Sequence, residues 1–119
     1  MHEVKNYYLI NSNWLSCYQE NIFDLIVSNP PYIDKNDVHL KKLTHEPKIA
    51  LIAEDKGLRN FRLITKQAYS KLKKDGILIF EHGYNQSKDV KLILKENGLH
   101  SIKTIKDYNL NFRVTLGRK

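Results

Sequence analysis

The sequence predicts an α/β domain built on a parallel sheet and finished by an antiparallel hairpin at the sheet edge. Three observations carry this. The run Ile22-Phe23-Asp24-Leu25-Ile26-Val27 is almost continuously apolar and stops abruptly at Ser28-Asn29-Pro30-Pro31, as a strand buried on both faces would. Apolar residues then step by three and four from Leu58, which is a helical period. Strand and helix alternate a second time, and such alternation implies parallel strands joined by right-handed crossovers.

Taken in order, Tyr7 to Ile10 is a first, short strand candidate, and Phe23 to Val27 is the central one. Leu58, Phe61, Ile64, Ala68 and Leu72 give a helix of about four turns from Gly57, stopping at Asp75-Gly76. Ile77-Leu78-Ile79-Phe80 reads as the next buried strand. A second helix from about Gln86 to Glu96 places Val90, Ile93 and Leu94 on one face and ends at Asn97-Gly98, a common C-terminal stop. Ser101 to Lys106 alternates in and out, Asn109-Leu110-Asn111 reads as a turn, and Phe112 to Leu116 returns as the last strand.

At 119 residues the chain is one small domain, and 41% hydrophobic with 28% charged residues argues against disorder. No apolar run approaches the length of a membrane span, and Met1-His2-Glu3-Val4-Lys5 lacks the core of a secretory signal, so a cytoplasmic protein is expected. A single cysteine, Cys17, excludes an internal disulfide, and the five histidines have no i, i+4 pair, so no metal is expected. The charge of +7 raises nucleic acid as a partner. However, 16 Lys against 4 Arg, with 11 Asn and 12 Ile, fits A/T-rich codon usage equally well, and no basic block appears. Direct nucleic-acid binding is therefore not expected.

The most informative residues are Asn29-Pro30-Pro31-Tyr32. They follow the central strand directly, at the carboxyl edge where open α/β sheets place ligands. Two prolines remove two amide donors and fix the chain, leaving carbonyls that point outward. A planar amine needs two acceptors, which the side-chain oxygen of Asn29 and the carbonyl of Pro30 could supply, while the Tyr32 ring could stack on the plane bearing the amine. Such a site orients an sp² nitrogen toward an electrophile by positioning, without a strong base. A plain turn and a proline-rich docking segment are the alternatives; the preceding apolar strand and the lack of further prolines weigh against both.

Asn-Pro-Pro-Tyr after a strand resembles the amine-binding motif of methyltransferases that use S-adenosylmethionine. The longer set is Ser28 to Asp34, Glu46-Pro47 with Ala50-Leu51, Asp55 to Leu58, Glu81-His82-Gly83 with Gln86, and Asp107-Tyr108 ahead of Arg113 to Arg118. It resembles the HemK/PrmC family of peptide chain release factor glutamine methyltransferases, from about Tyr7 to Arg118. The resemblance implies a Rossmann-like class I methyltransferase fold and methylation of the glutamine amide in the Gly-Gly-Gln motif of class I release factors. It implies that Asn29, Pro30 and Tyr32 are catalytic and that they bind the glutamine amide together with Pro31. Trp14 and Asn29 would contact the cofactor, S-adenosylmethionine. Ser12-Asn13-Trp14 stands where the family has Ser-Asp-Trp, so the acidic contact is missing. A nucleic-acid (adenine) amino-methyltransferase and an inactive truncated remnant are the alternative readings.

No Gly-x-Gly occurs; the glycines are Gly57, Gly76, Gly83, Gly98 and Gly117. By the resemblance, residues 1–119 are the C-terminal part of a catalytic domain, incomplete at its N-terminal side, with the helical N-terminal domain and the Gly-rich cofactor motif absent. A separate polypeptide completing the enzyme, a truncated remnant and a mis-set start are the three ways to account for this. Central strand edges would then stand unpaired. Elsewhere, Glu81 and His82 read as a satisfied strand end, Glu46-Pro47 and Arg113 as structural or solvated. Tyr7 and Tyr8 read as core or edge aromatics, and Lys71, Lys73 and Lys74 as a solvated helix end.

Overall fold

The computed structural model describes residues 3–31, 33–34, 52–53 and 57–119. The elements run β1 (Phe23–Ser28), β2 (Ile33–Asp34), β3 (Ile52–Ala53), α1 (Arg59–Lys71), β4 (Leu72–Glu81), α2 (Ser87–Glu96), β5 (His100–Lys106) and β6 (Phe112–Arg118). Four strands form a mixed sheet in the order β1-β4-β6-β5; β2 and β3 make a separate two-stranded parallel pair. β1 and β4 are parallel, while β4–β6 and β5–β6 are antiparallel. The expected strand–helix–strand–helix–hairpin order is therefore observed.

One apolar layer holds this together. Phe61, Ile64 and Ala68 of α1 and Val90, Ile93 and Leu94 of α2 pack with Ile26, Leu78 and Phe80 of the sheet into one cluster. Phe61 and Phe80 meet edge to face, centroids 5.0 Å apart at 82°, the arrangement that ring quadrupoles favour. Both helices lie on the same face of the sheet, the one carrying Ile26, Leu78 and Phe80.

The structure corrects three expectations. The first concerns β1, which is not buried on both faces. Ile26 is 7% exposed, but its neighbours Leu25 and Val27 are 51% and 66% exposed. Alternation sends them to the face opposite the helices, and among the described residues β1 is an edge strand paired only with β4.

The second concerns Tyr7 to Ile10, which form no strand. Their side chains are exposed, Tyr8 at 92%. Among the described residues no strand lies beside them to complete a ladder, and an isolated strand does not hold in water.

The third concerns α1, which ends at Lys71. Leu72 turns extended at φ −71°, ψ 139° and begins β4. The register with β1 then jumps from Phe23↔Leu72 to Leu25↔Ile77. Asp75 sits in the left-handed region at φ 65°, and a Cβ on Gly76 would lie 2.8 Å from the carbonyl oxygen of Lys73. Only glycine fits this fold-back.

The C-terminal part of the chain follows sequence closely. α2 stops where Gly98 adopts φ +92°, with the Leu99 amide donating to Leu94 O (3.1 Å) and the Gly98 amide to Lys95 O (3.1 Å). These satisfy carbonyls that a helix end leaves without partners. In the hairpin turn, Asp107 accepts from the amides of Asn109 (2.8 Å) and Asn111 (3.0 Å).

Candidate functional site

Because β1 and β4 are parallel, both deliver their following residues to the same sheet edge. Ser28 pairs with Phe80, so Asn29-Pro30-Pro31 lies beside Glu81-His82-Gly83. The β5–β6 turn, Asp107 to Asn111, reaches this edge too, since Glu81 pairs with Val114 and the His82 amide donates to Arg113 O at 2.9 Å. The sheet thus gathers three loops at one edge.

Within the first loop the residues differ in setting. Pro30 is buried and Pro31 half-buried, while Asn29 is exposed. Among the described residues no hydrogen bond or ion pair engages the Asn29 side chain, so its amide faces outward with both functions available. Asn60, in the first turn of α1, donates to Pro31 O at 3.3 Å. That bond ties the loop to the helix, a role the sequence reading did not assign. Tyr32, Glu46 and Pro47 lie outside the described residues.

Trp14 belongs to a separate turn. It occupies a turn in which the Ser16 amide donates to Asn13 O (3.2 Å) and the Tyr18 amide to Leu15 O (3.1 Å). The Leu15 amide donates to Gln67 Oε1 at 2.8 Å, and Leu15 packs against the core. Gln67 lies seven residues beyond Asn60 on α1. At 1.5 Å per residue, the two docking points on the helix are about 10 Å apart. Trp14 has φ 54° and is 36% exposed. A large non-glycine residue in the left-handed region is an outlier that local structure must hold in place.

The second loop is locked from below by a histidine. His82 is fully buried; its Nδ1 is 2.9 Å from Gly83 O and its Nε2 is 2.7 Å from Thr115 Oγ1. A carbonyl only accepts, so Nδ1 carries the proton, and Nε2 accepts from the Thr115 hydroxyl. Thr115 Oγ1, 3.1 Å from Thr104 Oγ1, then accepts from Thr104. Burial pushes the His82 pKa below its ordinary value; the Gly83 carbonyl opposes this, Arg113 adds to it and Glu81 opposes it. His82 is therefore a neutral structural group, in line with the satisfied strand end expected from sequence. Gln86 Oε1 accepts from the Gly83 amide at 2.9 Å, fixing the same loop from the start of α2.

Two basic residues depart from expectation. Arg113 is half-buried and paired instead of free in solvent: its Nε donates to Asp107 Oδ2 at 3.1 Å. The Asn111 amide is the main cause holding the Asp107 carboxyl below its ordinary range, with Arg113 and the Asn109 amide adding to it and partial burial opposing them. Lys71 donates to the Tyr18 carbonyl instead of reaching only into water. Its signal was hidden, because the partner lies 53 positions away.

Among the described residues no group of three or more His, Cys, Asp and Glu could hold a metal, and no helix is long and apolar enough to cross a membrane. No family model matches the chain. In fold it is similar to a Thermus thermophilus protein described as a candidate DNA modification methylase, with a TM-score of 0.61 and 16% identity over 88% of this chain and 49% of that one. That likeness defines the class, a mixed α/β architecture shared with a methylase structure, and concerns fold alone.

Sequence relatives are more particular. The chain is 47% identical over 111 residues to release factor glutamine methyltransferase of Pasteurella multocida, covering 91% of this chain and 37% of that protein. It is 40% identical over 117 residues to release factor glutamine methyltransferase of Escherichia coli, covering 97% of this chain and 42% of that protein. The resemblance read from the motifs is thereby shown: the chain is a homologue of the C-terminal part of the release factor glutamine methyltransferases. It spans about two fifths of the length of the curated relatives it matches, at 37% and 42%.

Proposed function

We propose that this chain supplies the amide-binding side of a methyl transfer from S-adenosylmethionine to a glutamine side chain. The substrate is the Gly-Gly-Gln motif of class I peptide chain release factors, in the cytoplasm, and no metal takes part. The chain is the C-terminal part of a Rossmann-like class I catalytic domain that works together with the part of the relatives' length it does not match. The observation that carries this reading is Asn29-Pro30-Pro31 at the carboxyl edge of a parallel strand pair, with Pro30 buried and Asn29 exposed and, among the described residues, unengaged.

Asn29 Oδ1 and the Pro30 carbonyl accept from the two N–H bonds of the substrate amide, Pro31 shapes the turn, and the Tyr32 ring stacks on the amide plane. Two acceptors fix the plane and direct the nitrogen lone pair out of it. As the nitrogen takes the methyl group, whose bond to the donor's sulfonium sulfur would break as the N–C bond forms, positive charge grows on it, and the two oxygens stabilise that charge. One N–H proton then passes to water. Asn60 holds the turn in place through Pro31 O.

The cofactor, when bound, supplies an electrophilic methyl group. Trp14 offers an exposed indole face for its adenine, and Asn29 an amide near its reacting end. No two of the five glycines lie closer than seven positions apart, so this chain has no Gly-rich turn for close backbone approach. The fit is partial, and the remaining cofactor contacts belong to the unmatched portion of the relatives.

The test is transfer of a labelled methyl group to a class I release factor by this chain joined to the unmatched portion of the Pasteurella multocida relative. Asn29→Ala should lower the rate about 100-fold, the loss typical of one positioned polar group in the transition state. The thermal transition should stay unchanged, since Asn29 is exposed. Undiminished transfer by the variant, or none by the parent, overturns the proposal.

A further inference from the structure

The β5–β6 turn, at the same sheet edge as Asn29, is rigid in its backbone and apolar at its tip. Asp107 accepts from the amides of Asn109 and Asn111 and from Arg113. Its own amide donates to Asn111 O (2.8 Å), and the Leu110 amide donates to Asp107 O (3.0 Å). The side chains of Tyr108 and Leu110 take no part in this frame: they are 106% and 75% exposed. Leu110 also lies in the left-handed region at φ 63°, which suits Gly and Asn and is costly for a bulky apolar residue. An asparagine stands on each side of it, yet the left-handed position carries the leucine. Within the chain an exposed leucine returns nothing for that strain, whereas burial against a partner offsets it.

The position of the turn selects the partner. Glu81 pairs with Val114, and β6 starts two residues earlier at Phe112, so the hairpin overshoots the end of β4 by about 7 Å before the turn begins. In the strand order β1-β4-β6-β5, the turn stands two to three strand spacings, about 10–14 Å, to the side of β1. Tyr84, 62% exposed, follows Gly83 in the loop between them. A polypeptide whose glutamine amide rests on Asn29 reaches this rim with about three or four extended residues.

We propose that Tyr108 and Leu110 form a docking prong for the polypeptide that carries the acceptor glutamine, seated in an apolar depression of that partner beside the glutamine segment. The inference rests on the amide-site reading for the identity of the partner, a class I release factor. A tyrosine gives a broad contact at a small cost in side-chain freedom, and such residues carry much of the energy of protein interfaces. A turn already fixed by its own hydrogen bonds loses little further freedom on binding.

The experiment is isothermal titration of the full chain with a purified class I release factor, with thermal melts and sedimentation velocity of the chain alongside. The double variant Tyr108→Ser and Leu110→Asn should bind at least about 10-fold more weakly, as loss of an interface anchor requires. Its thermal transition should be no lower than the parent's, because Asn enters the left-handed region at less cost than Leu and both replaced side chains are exposed. A merely structural role would move both readouts together; docking separates them. Equal binding by parent and variant, no binding by the parent, a lowered thermal transition, or self-association of the parent that the variant loses overturns the proposal. Binding is read without methyl transfer, so undiminished transfer by Asn29→Ala refutes the amide site alone, and equal binding by the double variant refutes the prong alone.

Discussion

Replacing Thr115 with Val tests the hydrogen-bond chain beneath the Glu81-His82-Gly83 loop. Thr and Val have nearly the same shape, and Thr115 is fully buried, so the change removes one hydroxyl without opening a cavity. It strips His82 Nε2 of the donor at 2.7 Å and leaves a buried acceptor without a partner. An unsatisfied buried polar group costs about 1–3 kcal/mol. For a domain of this size each kcal/mol is worth roughly 4 °C, so Thr115→Val should lower Tm by about 8 °C. Thr104→Val, at a half-buried site, leaves the Thr115–His82 bond intact and should cost less than about 1 kcal/mol. The proton balance gives a second readout. The His82 pKa is lowered from 6.5 by burial, so just below that value the unfolded chain binds a proton that the folded chain refuses. Stability therefore rises with pH through the window below 6.5, with a slope of at most about 1.4 kcal/mol per pH unit. His82→Gln, which has no titrating ring, should flatten that slope. Urea unfolding followed by far-UV circular dichroism across pH measures both effects. A Thr115→Val protein as stable as the parent, or an unchanged slope in His82→Gln, would refute the assignment of His82 as a neutral, hydrogen-bonded support.

Two further substitutions probe the frame, Gly98 at the end of α2 and Asp107 at the edge that carries the candidate site. Gly98→Ala forces a side chain into φ +92°, with its Cβ 3.2 Å from Tyr69 Cε2; it should cost about 1–3 kcal/mol in a thermal melt, and a neutral outcome would contradict the left-handed stop of α2. Asp107→Asn removes the charge that Arg113 and two turn amides hold. Because the folded carboxyl titrates below its ordinary value, its stabilisation is present above the unfolded-state value and disappears as pH falls through the folded one. The variant should melt lower at neutral pH and converge with the parent in acid; a constant difference would count against the charge.

Much of the frame was legible because it is local. The stop of α2 could be read from Asn97-Gly98, since glycine alone enters the left-handed region at little cost. The β5–β6 turn could be read from Asn109-Leu110-Asn111 between two alternating runs. The location of Asn29-Pro30-Pro31 was equally legible, because prolines end a strand wherever they fall. The chain-distant pairings were not. His82 with Thr115, Asn60 with Pro31 and Lys71 with Tyr18 join residues 33, 29 and 53 positions apart, and periodicity carries no signal for them. The boundary between α1 and β4 moved because Leu72 serves the core equally well from a strand. Its apolar character and spacing are the same in both states.

By itself, the sequence determined the order of elements, the one-sided apolar pattern of both helices, the placement of Asn29 at the end of a strand, and kinship with part of a methyltransferase family. These follow from short-range stereochemistry and hydrophobic period, which each segment carries with it. Tertiary structure alone decided which faces are covered. The run from Ile22 to Val27 looks the same in a central strand and in an exposed edge, because burial depends on what packs against a strand and not on the strand itself. Here both helices settled on the face of Ile26, Leu78 and Phe80. Leu25 and Val27 were left open beside the Asn29 loop, which makes an apolar surface and a candidate amide-binding turn neighbours at one edge of the sheet.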